Sequence, residues 1–357
     1  MLRQLVTAPL SWIYGLAVAI RNKLFDWKIL RSEEFDIPIV CIGNLTVGGT
    51  GKTPHTEYLI EHFSRHYRVA VLSRGYKRKT KGFVEATPQS SYRKIGDEPK
   101  QIKLKFPHIP VAVCEKRVEG IRRLRKLHPE IDLILLDDAF QHRYVEPWVN
   151  VILMDYNRPI VRDHLLPLGQ LRDSKKQLKR AQIVIVTKCP EAIKPIDMRV
   201  TRKELDLFPY QGLYFSRFRP GEPVPLFPEH GQPQPKPGTN VVAMAGVANP
   251  NGFFGQVGQR FNLLKTLVYP DHYAYRMNDL EKLKNILSVS PPDTLVVMTE
   301  KDAVKLSNRK KIPVSLQKRL YYVPIEVMFL DQGEQGFLRQ IDQYVRTNHK
   351  YSILHPE

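Results

Sequence analysis

Residues 37–54 place an apolar stretch directly before a glycine-rich turn, a lysine and a threonine. Glycines let backbone N–H groups approach phosphate oxygens without a clash from Cβ, and the lysine can reach the β- and γ-phosphates. The threonine hydroxyl can hold Mg²⁺, and the following helix offers its positive end to the anion. The stretch therefore predicts a strand, a phosphate-binding loop and a helix. The predicted nucleotide-binding residues are Val47, Gly48, Gly49, Thr50, Gly51, Lys52, Thr53 and Pro54.

The loop departs from the common phosphate-loop pattern at one position. Thr46 stands six residues before Lys52, where a glycine is usual, and Gly48 with Gly49 can replace it. In a related loop, that of the partition ATPases, the position of Val47 holds a lysine that reaches across a dimer. Val47 therefore argues against a dimerising switch. An ordinary glycine-rich turn is the alternative interpretation.

Short runs rich in valine, isoleucine and leucine alternate with amphipathic stretches. Runs that are apolar throughout are typical of strands covered on both faces. Residues 117–127 carry Val118, Ile121 and Leu124 at a spacing of three, which predicts a helix. The alternation predicts an α/β fold with a P-loop NTPase-like, doubly wound, mostly parallel sheet. The predicted strands are Ile37–Gly43, Arg68–Ser73, Pro110–Cys114, Ile131–Leu136, Asn150–Met154 and Gln182–Thr187.

A proline-rich stretch divides the chain, because residues 218–238 contain seven prolines. Proline removes a backbone donor and fixes φ, so this stretch predicts a linker or an extended ribbon. The α/β alternation resumes after it. We expect a membrane-associating helix in residues 1–30, a P-loop core domain in 31–217, the linker in 218–239 and a smaller α/β domain with a closing C-terminal helix in 240–357.

An acidic pair ends the apolar run 131–136. Nucleotide sites in such sheets form at the carboxyl ends of strands, and a carboxylate there can hold Mg²⁺. Thr53, Asp137 and Asp138 are therefore the predicted metal-binding residues, although Asp137 and Asp138 cannot point the same way if the strand persists. A solvated turn at the strand end is the alternative. Pro190 stands where a guanine-reading Thr-Lys-x-Asp motif requires aspartate, which favours ATP.

The net charge is strongly positive: 55 Lys+Arg against 36 Asp+Glu leave +19. This charge favours an anionic partner, either nucleic acid, a membrane surface or a phosphorylated substrate. The sequence contains no nucleic-acid recognition motif, so we expect no nucleic-acid partner. A nucleic-acid-dependent ATPase and a non-catalytic nucleotide switch are the rival interpretations. Cys41, Cys114 and Cys189 lie far apart, which favours a reducing cytoplasm over disulfides or zinc.

The N-terminal residues 8–20 form a mostly apolar run of 13 residues, shorter than the ~20 that span a bilayer. Trp12, Tyr14 and Trp27 stand near basic residues, which is typical of a helix lying at a membrane interface. A helix packed on the protein's own core is the alternative. Residues 17–19 could pass for a signal-peptidase site, but a nucleotide-using enzyme belongs where the nucleotide is.

Two short clusters contain a possible acid and base. Asp97 precedes a proline-marked helix start, and His272 lies in a predicted turn of the smaller domain. A hydroxyl nucleophile needs a base within hydrogen-bond reach, and Asp97 and His272 could supply it if they meet across an interdomain cleft. A solvated Asp97 and a structurally satisfied His272 form the alternative.

Seven motifs occur in one order along nearly the whole chain. They are Val47-Gly-Gly-Thr-Gly-Lys-Thr-Pro54, Ser73-Arg-Gly-Tyr76, Gly96-Asp-Glu-Pro99, Leu136-Asp-Asp-Ala-Phe-Gln-His142, Leu165-Leu-Pro-Leu-Gly-Gln-Leu-Arg172, Pro270-Asp-His272 and Thr299-Glu-Lys-Asp302. Together they resemble the tetraacyldisaccharide 4′-kinases of lipid A biosynthesis. The chain departs from that pattern at Ala139, at Asp173-Ser174 and at Tyr273, where the family usually has glycine, Glu-Pro and a second histidine.

The resemblance implies that ATP, with Mg²⁺, phosphorylates the 4′-hydroxyl of a tetraacylated glucosamine disaccharide 1-phosphate. It also implies that Asp97 and His272 act together on the nucleophile, at the cytoplasmic face of the inner membrane of a Gram-negative bacterium. A lipid substrate and an anionic membrane surface would explain the N-terminal segment and part of the charge, and we infer no obligate protein partner. The substrate-contact candidates are Arg74, Tyr76, Arg117, Gln141, His142 and Arg172, with a surface salt bridge as the alternative for each.

Overall fold

The computed structural model describes residues 2–247, 249–271, 273–307 and 312–347. The helices are α1 Leu2–Asp26, α2 Lys52–Phe63, α3 Tyr92–Ile95, α4 Asp97–Lys105, α5 Arg117–Leu127, α6 Pro195–Leu205, α7 Asn251–Arg260, α8 Met277–Ser288, α9 Glu300–Leu306, α10 Val314–Gln317 and α11 Gly333–Thr347. The strands are β1 Ile39–Asn44, β2 Val69–Ser73, β3 Val84–Glu85, β4 Val111–Val113, β5 Leu133–Asp137, β6 Val149–Asp155, β7 Ile183–Thr187, β8 Gly212–Pro220, β9 Val224–Pro225, β10 Asn240–Ala245, β11 Asn262–Val268, β12 Leu295–Thr299, β13 Leu320–Val323 and β14 Ile325–Phe329.

The larger sheet has nine strands in the order β14-β8-β7-β6-β1-β5-β2-β4-β3. Neighbours from β8 to β4 are parallel, and only the two edge pairings, β14 with β8 and β3 with β4, are antiparallel. The predicted α/β fold with a mostly parallel sheet is therefore confirmed. The six predicted strands correspond to β1, β2, β4, β5, β6 and β7, and α5 has the predicted bounds.

Helices cover both faces of this sheet. Every residue of β1, β2, β4, β5, β6 and β7 is buried. On one face Leu59 and Ile60 of α2 pack into the core, and on the other face Ile121 and Leu124 of α5 do so. Two covered faces explain why these strands are apolar throughout rather than alternating.

The place of β1 in the strand order fixes where a ligand can bind. β1 lies between β5 and β6, with Ile42 opposite Asp137 and Asn44 opposite Leu153. The connections on the two sides of β1 run in different directions, which opens a crevice at the carboxyl ends of these strands. The loop after β1 and the acidic end of β5 therefore meet at one edge of the sheet.

A second sheet contains five strands in the order β11-β10-β12-β13-β9. Its first four strands are parallel, and β9 pairs antiparallel with β13. Part of the predicted linker is therefore strand, because β8 continues to Pro220 and β9 contributes Pro225. Both prolines lie at strand ends, where a missing N–H donor is tolerated.

The C-terminal part of the chain returns to the larger sheet, which differs from the predicted domain of residues 240–357. β14 pairs with β8, and α11 packs against the sheet through Phe337, Ile341 and Val345. These three residues are four apart, so they lie on one face of the helix. β14 covers an otherwise open edge of β8, which is a physical reason for this return.

Candidate active site

Two glycines shape the loop between β1 and α2. Gly48 and Gly51 have φ angles of 99° and 89°, in the left-handed region that glycine occupies without strain. A side chain at position 51 would also collide with the ring of Phe218. Because α2 begins at Lys52, its first turn adjoins the loop and offers N–H groups that have no partner within the helix. Loop and helix together are suited to hold an anion.

Hydrogen bonds from neighbouring segments hold this loop. Asn44 Nδ2 donates to Thr50 Oγ1 at 2.8 Å, and Thr187 Oγ1 donates to the Thr50 carbonyl at 2.9 Å. The Val47 N–H donates to the Gln170 carbonyl at 2.8 Å. The loop is therefore fixed from β1, from β7 and from the segment after β6, which limits the reorganisation that phosphate binding would require.

His55 supports the same loop from inside α2, although the sequence analysis did not single it out. It is buried, and its Nδ1 lies 2.8 Å from the Gly51 carbonyl while its Nε2 lies 3.0 Å from Ser216 Oγ. A carbonyl only accepts, so Nδ1 carries the proton and Nε2 accepts from the serine. Burial lowers the pKa of His55 to about 4, which keeps the ring neutral.

Lys52, Asp138 and Arg172 form a charged cluster beside the loop. Asp138 Oδ1 lies 3.6 Å from Lys52 Nζ and accepts from Arg172 Nη2 at 2.8 Å. Arg172 also donates to Asn44 Oδ1. Burial alone would raise the pKa of Asp138, but Lys52 and Arg172 lower it to about 2. The carboxylate is thus charged and orients both cations.

Asp137 has different surroundings from its neighbour. It is the last residue of β5, fully buried, and its Oδ1 accepts from Thr56 Oγ1 at 3.3 Å. Its Oδ2 has no hydrogen-bond donor among the residues that the structure describes. Burial, Glu98 and Asp138 raise the pKa of Asp137 to about 7. A buried carboxylate with a free oxygen is suited to hold a cation, which fits its predicted metal role.

Thr53 lies in the first turn of α2, directly after Lys52. Within the described ranges, no group of three or more histidine, cysteine or acidic side chains is arranged to hold a metal. A nucleotide-bound Mg²⁺ does not need such a cage, since phosphates and water supply most of its ligands. The predicted set Thr53, Asp137 and Asp138 stays a prediction.

Arg117 contacts both His142 and the backbone of Asp138. Arg117 is buried and donates to the carbonyls of Cys114 at 2.9 Å and of Asp138 at 3.5 Å. Its backbone N–H donates to His142 Nε2 at 3.3 Å, so that nitrogen carries no proton. Burial, followed by the charges of Arg117, Arg21 and Arg74, lowers the pKa of His142 to about 4. His142 is therefore a neutral group among arginines.

The N-terminal helix borders this region. Arg21 Nη2 donates to the Gln141 carbonyl at 2.6 Å, and Gln141 Nε2 donates to the Asn44 carbonyl at 2.7 Å. Tyr14 donates through its hydroxyl to the Arg172 carbonyl at 2.8 Å. Two predicted substrate residues, Gln141 and Arg172, thus lie between the phosphate loop and α1.

The outward side of α1 is apolar. Five large side chains of this helix are at least half exposed: Leu10, Trp12, Ile13, Leu16 and Ile20. Across the residues that the structure describes, no helix has both the length and the apolar character needed to cross a bilayer.

A close backbone contact joins the loop after β2 to the start of α4, where Asp97 lies. Gly75 and Gly96 both have positive φ, and a Cβ on Gly96 would lie 3.2 Å from the Gly75 backbone. This contact joins the loop of Tyr76, which is 62% exposed, to the start of α4 at Asp97. Glu98, the next residue, is close enough to raise the pKa of Asp137. Nothing in the sequence beyond the motif Gly96-Asp-Glu-Pro99 indicates that Glu98 belongs to the site.

His272 lies outside the described residues, so its predicted meeting with Asp97 stays a prediction. The segment before it is described. The Tyr269 N–H donates to the Ala245 carbonyl at 2.8 Å, and Lys301 Nζ lies 3.4 Å from Asp271 Oδ1. The end of β10 and the start of α9 therefore hold the chain immediately ahead of residue 272.

Comparisons with known proteins agree with these features. A family model described as tetraacyldisaccharide-1-P 4′-kinase matches residues 3–346. A tetraacyldisaccharide 4′-kinase of Bacteroides thetaiotaomicron is 45% identical over 96% of this chain and 94% of that protein. One of Bacteroides fragilis is 47% identical over 97% of this chain and 94% of that protein. A crystal structure of LpxK from Aquifex aeolicus in complex with ATP has a TM-score of 0.72 and 24% identity, covering 97% of this chain and 99% of that chain, and shows the same fold.

Proposed function

The chain belongs to the tetraacyldisaccharide 4′-kinase family and is a phosphotransferase with an alcohol acceptor, and on that premise we propose how its site works. ATP donates its γ-phosphate to the 4′-hydroxyl of a tetraacylated glucosamine disaccharide 1-phosphate. The product is the 1,4′-bisphosphate precursor of lipid A. The observation that carries this proposal is the cluster of Lys52, Asp138 and Arg172 beside a glycine-rich loop at a helix N-terminus.

The triphosphate lies in the loop of residues 47–54, and Lys52 neutralises charge that develops on the transferred group. Phosphoryl transfer demands little covalent chemistry from the protein, so positioning and charge dominate. Asp138 keeps Lys52 and Arg172 in place before the nucleotide arrives, which supports a preorganised site.

Mg²⁺ would be held by Asp137 and the Thr53 hydroxyl, with Asp138 as the alternative carboxylate. Asp137 Oδ2 has no donor in the described part of the chain, whereas both oxygens of Asp138 accept from Arg172. Asp137 is therefore the better candidate. When bound, Mg²⁺ would neutralise charge on the phosphates.

Asp97 and His272 remove the proton of the attacking 4′-hydroxyl. A sugar hydroxyl is a weak nucleophile, and a positioned base contributes about 10²–10⁴-fold to the rate. The effect of Glu98, the next residue, on the pKa of Asp137 supports the placement of Asp97 near the acidic end of β5.

The 1-phosphate and the sugar contact a region that contains Arg74, Arg117 and Arg172. Arg74 is exposed, and it is close enough to Arg117 and His142 to lower the pKa of both. Arginine presents a planar fork that matches phosphate oxygens. Because Nε2 of the neutral His142 accepts from Arg117, its Nδ1 carries the proton and can donate a hydrogen bond to the sugar. Tyr76 and Gln141 complete the proposed contact set.

The acyl chains enter from a membrane against which α1 lies with its exposed apolar side. The basic residues around this helix favour an anionic surface, in line with the cytoplasmic face of the inner membrane. Peripheral or monotopic attachment fits the outward Trp12 and Ile13. No nucleic-acid partner and no obligate protein partner form part of the proposal.

Incubation with ATP labelled at the γ-phosphate and the tetraacylated disaccharide 1-phosphate tests this function. We expect a new phosphate monoester on the distal sugar. A disaccharide that lacks the 4′-hydroxyl serves as the matched control and should take up no label. ATP hydrolysis that rises with added DNA or RNA, without lipid phosphorylation, would contradict the proposal.

A further inference from the structure

The motif Thr299-Glu-Lys-Asp302 forms the start of α9, and the proposed chemistry does not use it. Thr299 Oγ1 accepts from the Asp302 N–H at 3.2 Å, which caps the helix. Asp302 is fully buried, and its Oδ2 accepts from the Gly246 N–H at 2.8 Å. Asp302 Oδ1 accepts from Lys305 at 3.0 Å. These contacts fix the start of α9 to the carboxyl end of β10.

Lys301 extends from this fixed turn to the segment that leads to residue 272. Its Nζ lies 3.4 Å from Asp271 Oδ1. Gly246 is part of the same contact, because a Cβ there would lie 3.3 Å from the Pro270 carbonyl oxygen. The backbone just before position 272 is therefore held by the turn of residues 299–302.

Glu300 extends from the same turn in the other direction, towards the larger sheet. It is 7% exposed, and its Oε1 lies 3.9 Å from Lys105 Nζ. Lys105 also pairs with Glu57 of α2 at 2.8 Å, and Gln101 donates to Glu57 at 2.8 Å. Two acids and one lysine are thus gathered between α2, α4 and α9.

Two of the three helices that meet here begin at parts of the proposed active site. α2 starts in the phosphate loop, and α4 starts at Asp97. Helix α4 has nine residues, so it is rigid and about 14 Å long. Holding Lys105 at its end therefore also sets the position of Asp97 at its start. Catalytic groups must be held within about 0.5 Å of the productive geometry. A contact between the two domains can achieve this only if both sides of the contact are anchored.

We propose that Thr299-Glu-Lys-Asp302 is a positioning element that joins the segment before residue 272 to helix α4, and so holds that segment in a fixed place relative to Asp97. This inference rests on the proposed base. Glu300 and Lys105 are positioning residues rather than catalytic ones, because their contacts run to other side chains. Among the described residues, Lys105 is the ion-pair partner of the buried Glu300. A buried acid that depends on such a partner tolerates few alternative arrangements, which favours one placement of α9 relative to α4.

Two variants break the contact from opposite sides. Glu300→Ala removes the acid and leaves the Lys105–Glu57 pair intact, whereas Lys105→Met removes the cation. We expect each to lower kcat about 10-fold while the Kd for ATP changes less than about twofold, the range that lost orientation can produce. Glu300→Gln, which keeps the shape and a polar contact, should restore most of kcat.

Lys103→Met is the matched control. Lys103 also lies on α4, and it is buried, but its Nζ donates to the Ile109 carbonyl at 2.8 Å within the larger domain. The Lys103→Met variant should keep kcat within about twofold of the wild-type value. Circular dichroism and thermal unfolding establish whether each variant is folded. If Lys105→Met does not fold, Glu300→Ala alone provides the test.

The decisive measurement places Glu300→Ala in a His272→Ala background. If Glu300 acts through the base, it should cause no further loss of kcat there. A multiplied loss, or a single variant with wild-type kcat, would overturn the positioning role. The proposed base fails separately, through wild-type kcat in Asp97→Ala and His272→Ala, and that result would overturn this inference as well; the kinase function itself fails only if the disaccharide takes up no label.

Discussion

The neighbouring carboxylates of Asp137 and Asp138 face different partners: Asp137 accepts from Thr56 of α2, whereas Asp138 pairs with Lys52 and Arg172. The strand β5 ends at Asp137, and Asp138 has a φ of 49°, so the chain turns between them. One carboxylate is buried with a free oxygen and the other is neutralised by cations. Substitutions of Asp137 and of Asp138 should therefore impair the kinase activity in different ways.

Asp137→Ala should raise the Mg²⁺ concentration required for half-maximal activity, because the proposed metal loses a buried ligand. Asp138→Ala should instead lower kcat at saturating Mg²⁺, since Lys52 and Arg172 lose their common partner. Magnesium titrations of the kinase rate distinguish the two outcomes. Asp132→Ala, which breaks an exposed pair with Arg68 at the start of β5, is the control and should leave both quantities unchanged. Wild-type magnesium dependence in both variants would remove the metal assignment.

Lys52→Ala should lower kcat about 10²-fold or more, because one charged contact to the transferred phosphate is lost in a buried site. Lys52→Arg should recover little of it, since a planar guanidinium does not reproduce the reach of an ammonium. Single-turnover measurements at saturating ATP separate this loss from weaker binding. Near-normal turnover in the alanine variant would exclude Lys52 from the mechanism.

Asp97→Ala and His272→Ala should each lower kcat strongly while the affinity for ATP changes little. Residues that act as one unit are non-additive, so the double variant should be scarcely slower than the slower single variant. A double-mutant cycle on kcat, with the Kd for ATP measured in parallel, provides the check. Losses that multiply in the double variant would mean that the two residues act independently.

The stability of the protein should fall with acid, in part through His55. The pKa of His55 is lowered to about 4 by burial, whereas the unfolded chain binds the proton near pH 6.5. Its stabilising contribution is therefore complete above that range and is lost as the pH falls from about 6.5 to about 4. Between pH 7 and pH 5 the loss is about 2 kcal/mol.

His55→Gln should show a correspondingly smaller fall in the free energy of unfolding between pH 7 and pH 5. Urea denaturation at the two pH values measures the difference. The comparison is made within each protein, so a constant cost of the substitution cancels. Equal falls in wild type and variant would mean that His55 takes up its proton in the folded state.

Membrane association should depend on the outward side of α1. Trp12→Ser with Ile13→Ser removes two exposed apolar side chains and leaves the inward contacts of Tyr14 and Arg21 in place. We expect weaker co-sedimentation with anionic vesicles and a raised KM for acylated substrate. Ile196→Ser with Val200→Ser makes the same kind of change on α6 and should have no effect on either. Unchanged vesicle binding would show that another surface of the protein binds the membrane.

The strand, loop and helix around Lys52 could be predicted because their signals are local. Glycines that need a positive φ, an apolar strand and a helix start all lie within residues 37–54. The strands of the larger sheet were also predictable, because two covered faces leave an unbroken apolar run. The divergence of Asp137 and Asp138 was predicted from the alternation of side chains along a strand, but it arises from a turn, because β5 ends at Asp137 and Asp138 has a φ of 49°.

Contacts between distant segments were not predictable in the same way. His55 supports Gly51 only because Ser216 of β8 lies beside it, and Asn44 reaches Arg172 across a long separation in sequence. The return of β14 and α11 to the larger sheet depends on an open edge of β8, which the sequence does not display. The spacing of Phe337, Ile341 and Val345 shows an apolar face, but not which core receives it.

The pairing of β14 with β8 bears on how a newly made chain can fold. A ribosome releases residues 325–329 only after residues 212–220 and all five strands of the smaller sheet. Until then the outer edge of β8, and the core surface that α11 covers, are exposed to water and to other chains. The larger domain is therefore completed late in translation, and a chain whose synthesis stops before α11 should be a substrate for chaperones and proteases even though its phosphate loop has long been made.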